Sequence, residues 1–186
     1  MQQPPPADPT VADLIRYGAA EFEQAQLAFG HGMGEAVDEA AALVFHALGH
    51  AHEDAAQVYD LHPSREAVTK VLALFAQRIE QRVPAAYLMG RMWFAGLEFE
   101  VDRRVIVPRS PFAELILDGF EPWVDPGQVR RVLDVGTGSG CIAIACARRF
   151  EQARVDAVDL SSDALAVAAR NVARHGVGDR VRLLQG

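Results

Sequence analysis

A glycine-rich turn flanked by two aspartates carries the chemistry that this sequence suggests. The turn reads Asp134-Val135-Gly136-Thr137-Gly138-Ser139-Gly140, and Asp159 follows 19 residues after Gly140. Glycines allow a ligand close to the backbone because no Cβ intervenes, and a strand-to-helix turn directs N–H groups and the helix N-terminus toward that ligand. A carboxylate at the end of the next strand can accept hydrogen bonds from both hydroxyls of a ribose. Together these residues predict a site for an adenosine-type ligand.

The spacing of the glycines discriminates between two kinds of cofactor that contain adenosine. The dinucleotide fingerprint is G-x-G-x-x-G/A, but the sixth position counted from Gly136 is Cys141, and the third glycine comes one residue early. The pattern D-x-G-x-G-x-G is instead typical of proteins that bind S-adenosylmethionine, in which no pyrophosphate has to be held. The sequence therefore favours S-adenosylmethionine over a nicotinamide dinucleotide, and a purely structural turn is the remaining alternative.

Alternating strand and helix patterns position this turn. From residue 129 the predicted elements are a strand Val129 to Val135, a helix Ser139 to Phe150, a strand Arg154 to Asp159, a helix Ser162 to Arg174 and a strand that begins with Val181 to Leu184. Strands that alternate with helices of this length indicate a parallel sheet with crossover helices. The predicted fold class is α/β, with the N-terminal half of a Rossmann-like sheet preceded by a small helical bundle and a linking β-hairpin.

Three amphipathic helices are predicted for the bundle. The first begins at a capping box of Thr10 and Asp13 and ends in a glycine cluster that starts at Gly30. The second ends at Gly49, and the third begins near Ser64. The apolar face expected of the second helix comprises Val37, Ala40, Ala41, Val44, Ala47 and Leu48. Such helices form a bundle by burying their apolar stripes on one another.

Between residues 91 and 108 the apolar period changes from about 3.6 to 2. Leu97, Phe99 and Val101 alternate with acidic residues, and an apolar run at 105–107 follows two arginines. This pattern predicts an antiparallel hairpin between the bundle and the sheet. The neighbouring aromatics Trp93 and Phe94 are expected in the core rather than against a substrate.

The composition excludes several classes of protein. Half of the 186 residues are apolar, 23% are charged and the net charge is −7, which excludes disorder outside the proline-rich start. The N-terminus has neither the basic nor the apolar region of a signal peptide, and no uncharged apolar run approaches the roughly 18 residues that span a bilayer. We therefore expect a cytoplasmic protein without a membrane contact.

The charge is distributed unevenly along the chain. Residues 1–75 hold 11 acidic and 3 basic side chains, whereas residues 76–186 hold 14 acidic and 15 basic ones. An acidic first half argues against nonspecific nucleic-acid binding there and suits a basic partner. The alternative is a well-solvated helical surface without a partner.

A group of histidines offers a second kind of site. His46, His50 and His52, with Glu53, could suggest a metal centre because His46 and His50 share a helix face. Gly49 interrupts that helix, however, and no second pair of ligands completes a tetrahedron. Solvated or capping histidines are therefore predicted, and no metal is expected.

Two longer stretches resemble one enzyme family. Residues 84–115 read P-A-A-Y-L-M-G-R-M-W-F-A-G-L-E-F-E-V-D-R-R-V-I-V-P-R-S-P-F-A-E-L, and V-L-D-V-G-T-G-S-G-C-I-A-I-A follows at 132–145. Both are similar to the bacterial protein-glutamine methyltransferases, which use S-adenosylmethionine to methylate a glutamine side-chain amide. One branch acts on peptide-chain release factors, and the other acts on large-subunit ribosomal protein L-three. The segment Pro108 to Leu115 resembles the ribosomal-protein branch.

The resemblance implies roles for the matching residues. The cofactor loop would be lined by Gly136, Thr137, Gly138, Ser139 and Gly140. Asp159 would hold the ribose, and Asp134 would orient the loop or the methionine end of the cofactor. The hairpin and Pro108-Arg109 would lie near the mouth of the active site. Ribosomal protein L-three is the implied partner, docked on the acidic bundle through Glu35, Asp38 and Glu39, with no direct nucleic-acid specificity.

The resemblance also divides the chain into four parts. They are a flexible leader at 1–9, a helical substrate-recognition bundle at 10–83, a hairpin and linker at 84–121, and a partial methyltransferase domain at 122–186. The Asn-Pro-Pro-Tyr motif, with which this family grips the target amide, does not occur in the sequence, and no catalytic residue is assigned. The chain therefore resembles a C-terminally truncated enzyme that lacks roughly 100 residues and is expected to be inactive as given.

The sequence leads to three hypotheses about the function. The leading one is methylation of a glutamine amide in a ribosomal protein, carried out by the parent enzyme. The alternatives are a release-factor glutamine methyltransferase and a non-catalytic fragment that folds and binds only cofactor or partner. Adenine methylation of nucleic acid is disfavoured by the acidic bundle.

Overall fold

The computed structural model describes residues 5–30, 34–51 and 55–186, and the contacts within it divide the chain into two units at Met89 and Gly90. The short helix that precedes the division belongs to the first unit, and the hairpin that follows it belongs to the second. The four-part division of the sequence stays a prediction. Within the described ranges, no helix combines the length and the apolar character needed to cross a bilayer.

The first unit is helical. Its helices are α1 (Val11–Gln24), α2 (Ala36–Leu48), α3 (Ala55–Val58), α4 (Arg65–Glu80) and α5 (Ala85–Met89). The predicted capping box is confirmed, since the Asp13 N–H donates to the Thr10 hydroxyl over 3.1 Å and the Thr10 N–H donates to the Asp13 carboxylate over 3.0 Å. The predicted end of α1 is wrong: the helix ends before Gly30 because Gln26 adopts a left-handed φ of +49°.

The buried face of α2 differs from the predicted one. Val37 is 45% exposed, whereas Glu39 is only 4% exposed. The reason is an ion pair with α4, in which Arg78 Nε donates to Glu39 Oε1 over 2.6 Å. Glu39 is therefore wrongly placed on the predicted docking surface, whereas Glu35 and Asp38 are exposed as that surface requires.

The second unit contains the hairpin and the sheet. Its elements are β1 (Arg91–Phe94), β2 (Leu97–Glu100), α6 (Phe112–Leu117), a short 3-10 helix (Pro126–Gln128), β3 (Arg131–Val135), α7 (Cys141–Arg149), β4 (Arg154–Asp159), α8 (Ser162–Arg174) and β5 (Val181–Gln185). Strands β3, β4 and β5 form a parallel sheet in that order, with α7 and α8 as the crossover helices. The predicted α/β, Rossmann-like fold class is therefore confirmed, and both strand ends that carry the predicted site residues lie at one edge of the sheet.

A hairpin is present, but it lies earlier in the chain than predicted. Strands β1 and β2 pair from Arg91 opposite Glu100 to Phe94 opposite Leu97, and no strand occurs at 101–108. The chain reverses at residues 95 and 96, whose φ angles of +47° and +74° suit a two-residue hairpin turn. Side chains alternate across this pair, so Phe94 is buried as predicted but Trp93 is 50% exposed, contrary to its predicted core position.

Candidate functional site

The glycine turn lies at the carboxyl end of β3, where the chain passes into α7. Gly136, Gly138 and Gly140 have φ angles of +75°, +55° and +80°, which residues with a side chain rarely adopt. A Cβ at Gly136 or Gly138 would meet nothing within 4 Å, so the backbone faces open space there. At Gly140 a Cβ would lie 3.3 Å from side-chain atoms of Ala168 and Ile144. The first two glycines thus leave room for a ligand, and the third allows α7 and α8 to pack.

The N–H groups of the turn are largely used within the protein. Four of them donate over 2.8 to 2.9 Å: Gly136 and Thr137 to the Val158 carbonyl, Gly138 to the Asp159 carboxylate, and Gly140 to the Thr137 carbonyl. The expectation that these four N–H groups point at a ligand is therefore wrong. A pyrophosphate is held by free backbone N–H groups, so the arrangement does not suit a dinucleotide.

Asp159 ends β4 beside the turn. Its Oδ2 accepts the Gly138 N–H and its Oδ1 accepts the Ser161 N–H, each over 2.9 Å. A carboxylate offers about four lone-pair positions, so each oxygen keeps capacity for a further donor such as a hydroxyl. The side chain is only partly buried, which leaves that capacity accessible. The structure therefore places Asp159 where a ribose could reach it.

Leu160 is a residue that sequence reasoning missed. It directly follows Asp159 and is 82% exposed, and its carbonyl accepts from the Gln185 side chain over 3.3 Å. Leu160 thus lies beside the carboxylate that is predicted to hold a ribose, and an exposed apolar side chain there could contact the flat face of a base. Its position one residue after the predicted carboxylate was the signal that could have identified it.

Asp134 fixes the shape of the turn from within. Its Oδ2 accepts from the Thr137 hydroxyl over 2.7 Å and from the Ala143 N–H over 3.2 Å, which joins the end of β3 to the turn and to α7. Burial raises the pKa of Asp134 above its ordinary value, the two hydrogen bonds oppose this shift, and the charge of Asp159 adds to it. The negative charge of Asp159 thus acts on Asp134, and a site with two carboxylates favours a cationic ligand over a phosphate.

The side chains of Thr137 and Ser139 are buried. The structure thus brings every predicted site residue to one turn, but these two can offer a ligand little beyond their backbone. The backbone of Ser139 is also held in place by α8, because its carbonyl accepts a hydrogen bond from Asn171 Nδ2 over 2.9 Å. Asn171 lies in α8, is 0% exposed and is the only asparagine in the chain.

The histidines near the end of α2 are the other group of side chains that could suggest a site. Among the residues that the structure describes, no group of three His, Cys, Asp or Glu side chains could hold a metal ion. His52 and Glu53 lie outside the described residues.

Comparisons with known proteins agree with this geometry. A family model described as "Methyltransferase domain" matches residues 132–186, which include the turn, β4, α8 and β5. Curated relatives extend the similarity to the first unit. The protein of Bordetella pertussis named "Ribosomal protein uL3 glutamine methyltransferase" is 52% identical over 95% of this chain and 60% of its own length. Proteins with the same name from Xanthomonas campestris pv. campestris and Neisseria meningitidis serogroup B are 51% and 42% identical, over 57% and 58% of their lengths.

The chain thus spans at most about 60% of the length of these curated relatives. Among solved structures, the S-adenosylmethionine-dependent methyltransferase SibL aligns with 42% of this chain and 23% of that chain, at 35% identity and a TM-score of 0.33. The fold assignment rests on the topology of the sheet and on the family model.

Proposed function

We propose, on the premise that the chain belongs to the bacterial protein-glutamine methyltransferase family, that it binds S-adenosylmethionine for methylation of a glutamine amide in ribosomal protein L-three. One observation supports S-adenosylmethionine as the cofactor. The glycine turn is open at Gly136 and Gly138, and backbone N–H groups in and after it donate to two carboxylates, Asp159 and Asp134. The observation that supports the substrate is similarity over about 95% of the chain to relatives that bear the uL3 name. The same names favour the ribosomal protein over a release factor.

The residues of the turn suit S-adenosylmethionine by charge and by shape. Asp159 would accept hydrogen bonds from the ribose hydroxyls, and the exposed Leu160 would contact the adenine. The open faces of Gly136 and Gly138 would receive the part of the cofactor that carries the positive sulfonium and ammonium groups. Asp134 would act indirectly, since its hydrogen bonds hold the turn in position.

The chemistry required of the protein follows from the target group. Bound S-adenosylmethionine supplies an electrophilic methyl group, and an amide nitrogen attacks it poorly because its lone pair is delocalised. The protein must therefore hold that nitrogen in line with the methyl group and stabilise the developing positive charge. Asn-Pro-Pro-Tyr, the motif that the family uses for this purpose, does not occur among these 186 residues, so the residues assigned here concern the cofactor alone.

The acidic first unit would supply the docking surface for the basic ribosomal protein, in the cytoplasm. Glu35 and Asp38 are exposed at the start of α2 and are free to meet basic side chains. Glu39 is excluded from this surface by its ion pair with Arg78. Rim charges of this kind mainly set the association rate and the salt dependence of binding.

The cofactor proposal is tested by titration calorimetry of the 186-residue chain with S-adenosylmethionine. Asp159→Asn is expected to weaken binding about ten- to hundredfold, because hydrogen bonds to a charged acceptor contribute about 1.5–3 kcal/mol. Asp163→Asn is the matched control, since it removes the same charge from an exposed position in the first turn of α8. Equal affinities of wild type and Asp159→Asn, or no binding by the folded wild type, would contradict the proposal.

A further inference from the structure

The amide of Asn171 bonds to two segments that are distant in sequence. Its Oδ1 accepts the Glu100 N–H over 2.7 Å, and its Nδ2 donates to the Glu100 carbonyl and to the Ser139 carbonyl, each over 2.9 Å. Glu100 ends β2 of the hairpin, and Ser139 belongs to the glycine turn. One side chain thus holds a strand of the hairpin and the turn at a fixed separation.

Other side chains from the end of α8 also contact the hairpin. Arg170 Nε donates to the Glu100 carboxylate over 2.7 Å, Arg174 pairs with Glu98, and His175 Nε2 lies 2.9 Å from the Glu98 carbonyl. Among the described residues of α8, Asn171 is the one whose side chain bonds to both the hairpin and the turn. It is also fully buried, whereas Arg170 and Arg174 are exposed.

The burial of Asn171 makes its hydrogen bonds to Glu100 and Ser139 costly to break. Water cannot replace a hydrogen bond lost at a fully buried amide, so each unsatisfied group there would cost the full penalty of its desolvation. A shift of the turn must therefore either move Glu100 with it or break a buried hydrogen bond. The ion pairs of the exposed Arg170 and Arg174 do not couple the two segments in this way, because water can replace either partner when such a pair breaks.

We propose that Asn171 is a positioning residue that couples the hairpin to the glycine turn, so that occupation of the turn and ordering of the hairpin stabilise each other. The proposal rests on the proposed function for the identity of the ligand, S-adenosylmethionine. The coupling is reciprocal by thermodynamic necessity: a ligand that orders the hairpin through Asn171 binds more tightly when the hairpin is already ordered.

The test measures amide hydrogen exchange in the full 186-residue chain with and without saturating S-adenosylmethionine. The reporter is the Val101 N–H, which donates to the Gly90 carbonyl over 3.1 Å and belongs to the same peptide group as the Glu100 carbonyl that Asn171 binds. Each variant is therefore compared with itself, with and without the cofactor. In the wild type we expect the cofactor to slow its exchange about fivefold, at the lower end of typical coupling strengths. In Asn171→Ala the cofactor is expected to leave its exchange unchanged.

Arg170→Ala is the matched control, because it removes a neighbouring contact from α8 to the hairpin and leaves Asn171 in place. It is expected to keep the cofactor-dependent slowing. The Val155 N–H, bonded to the Arg180 carbonyl over 2.8 Å within the sheet unit, reports whether each variant is folded. If Asn171→Ala does not fold, Asn171→Ser takes its place, since a hydroxyl has a single donor and cannot serve both of the carbonyls to which Asn171 Nδ2 donates.

A cofactor-dependent slowing that persists in the folded Asn171 variant would overturn the proposal, as would its absence in a saturated wild type. If the wild type binds no S-adenosylmethionine, the proposed function fails. The coupling can then be tested without a ligand, by changing a residue of the hairpin and measuring the NMR resonances of the glycine turn. Arg91→Ala, which removes the contact between Arg91 and Glu98 within the hairpin, should shift the Ser139 carbonyl and Gly140 amide resonances in the wild-type background but not in the Asn171→Ala background. Equal shifts in both backgrounds would overturn the coupling.

Discussion

Removal of the Arg78 side chain is expected to destabilise the first unit severely. Arg78 and Glu39 are each 4% exposed, and their side chains are joined over 2.6 Å. Arg78 Nη2 also donates to the Ala28 carbonyl over 3.1 Å, and Glu39 Oε1 accepts the Ala85 N–H over 3.3 Å. The pair therefore connects α2 to α4, and its further hydrogen bonds link both helices to the start of α5 and to the segment that follows α1.

The magnitude follows from what Arg78→Ala would leave behind. The Glu39 carboxylate would stay buried without a cation, and breaking one side of such a pair costs about 3–5 kcal/mol. In a unit of fewer than about 100 residues, each kcal/mol lowers the melting temperature by about 4–8 °C, so a loss of at least about 12 °C is expected. The double variant Glu39→Met with Arg78→Met removes both charges and should be less destabilised than Arg78→Ala.

Urea unfolding followed by NMR gives the measurement, with resonances of the Val71 and Phe75 core reporting on the first unit. Lys70→Ala is the matched control on the same helix, since Lys70 pairs with Glu66 over 2.8 Å but both side chains are largely exposed. That variant should unfold near the wild-type midpoint. An Arg78→Ala midpoint close to the Lys70→Ala midpoint, or a double variant less stable than Arg78→Ala, would refute the reasoning from uncompensated buried charge.

Two further predictions concern charge. Glu35→Lys with Asp38→Lys should weaken binding of ribosomal protein L-three by about fivefold or more at low salt and by much less at high salt, as measured by titration calorimetry. Glu151→Lys in the second unit is the control. An equal loss of affinity in the control would contradict the proposed docking surface. Burial lowers the pKa of His175 below 6.5, so stability is fully present above pH 6.5 and is lost as the pH falls toward the lowered value. His175→Gln should remove this dependence of the melting temperature, and identical profiles of wild type and variant would count against it.

Local signals were sufficient for the elements that hold the site. The strand Arg154–Asp159 and the helix Ser162–Arg174 have the bounds that the sequence predicts. The helix begins where the Ser161 hydroxyl accepts the Ala164 N–H over 3.2 Å, and it ends before Gly176, whose φ is +63°. Caps and glycine conformations act within a few residues of the chain, so their effects can be derived from neighbouring letters.

The errors arose where the same sequence pattern fits more than one arrangement. A period of 2 at residues 91–108 is compatible with more than one pairing of strands, and the positive φ angles of Ala95 and Gly96 selected the earlier one. The pattern of α2 placed Val37 inside and Glu39 outside; the structure has the reverse, and the burial of Glu39 follows from the position of Arg78 on α4.

The sequence by itself determined which residues meet at the glycine turn, because strand ends and backbone conformations are set by short-range sterics. The tertiary structure alone decided the roles of Glu39 and Asn171, whose partners lie 39 and 71 residues away along the chain. A polar side chain is buried only where a distant partner satisfies it, and hydropathy assigns the same side chain to a solvent-facing position. For that reason the turn could be located from spacing, whereas the amide that ties it to the hairpin became visible only in three dimensions.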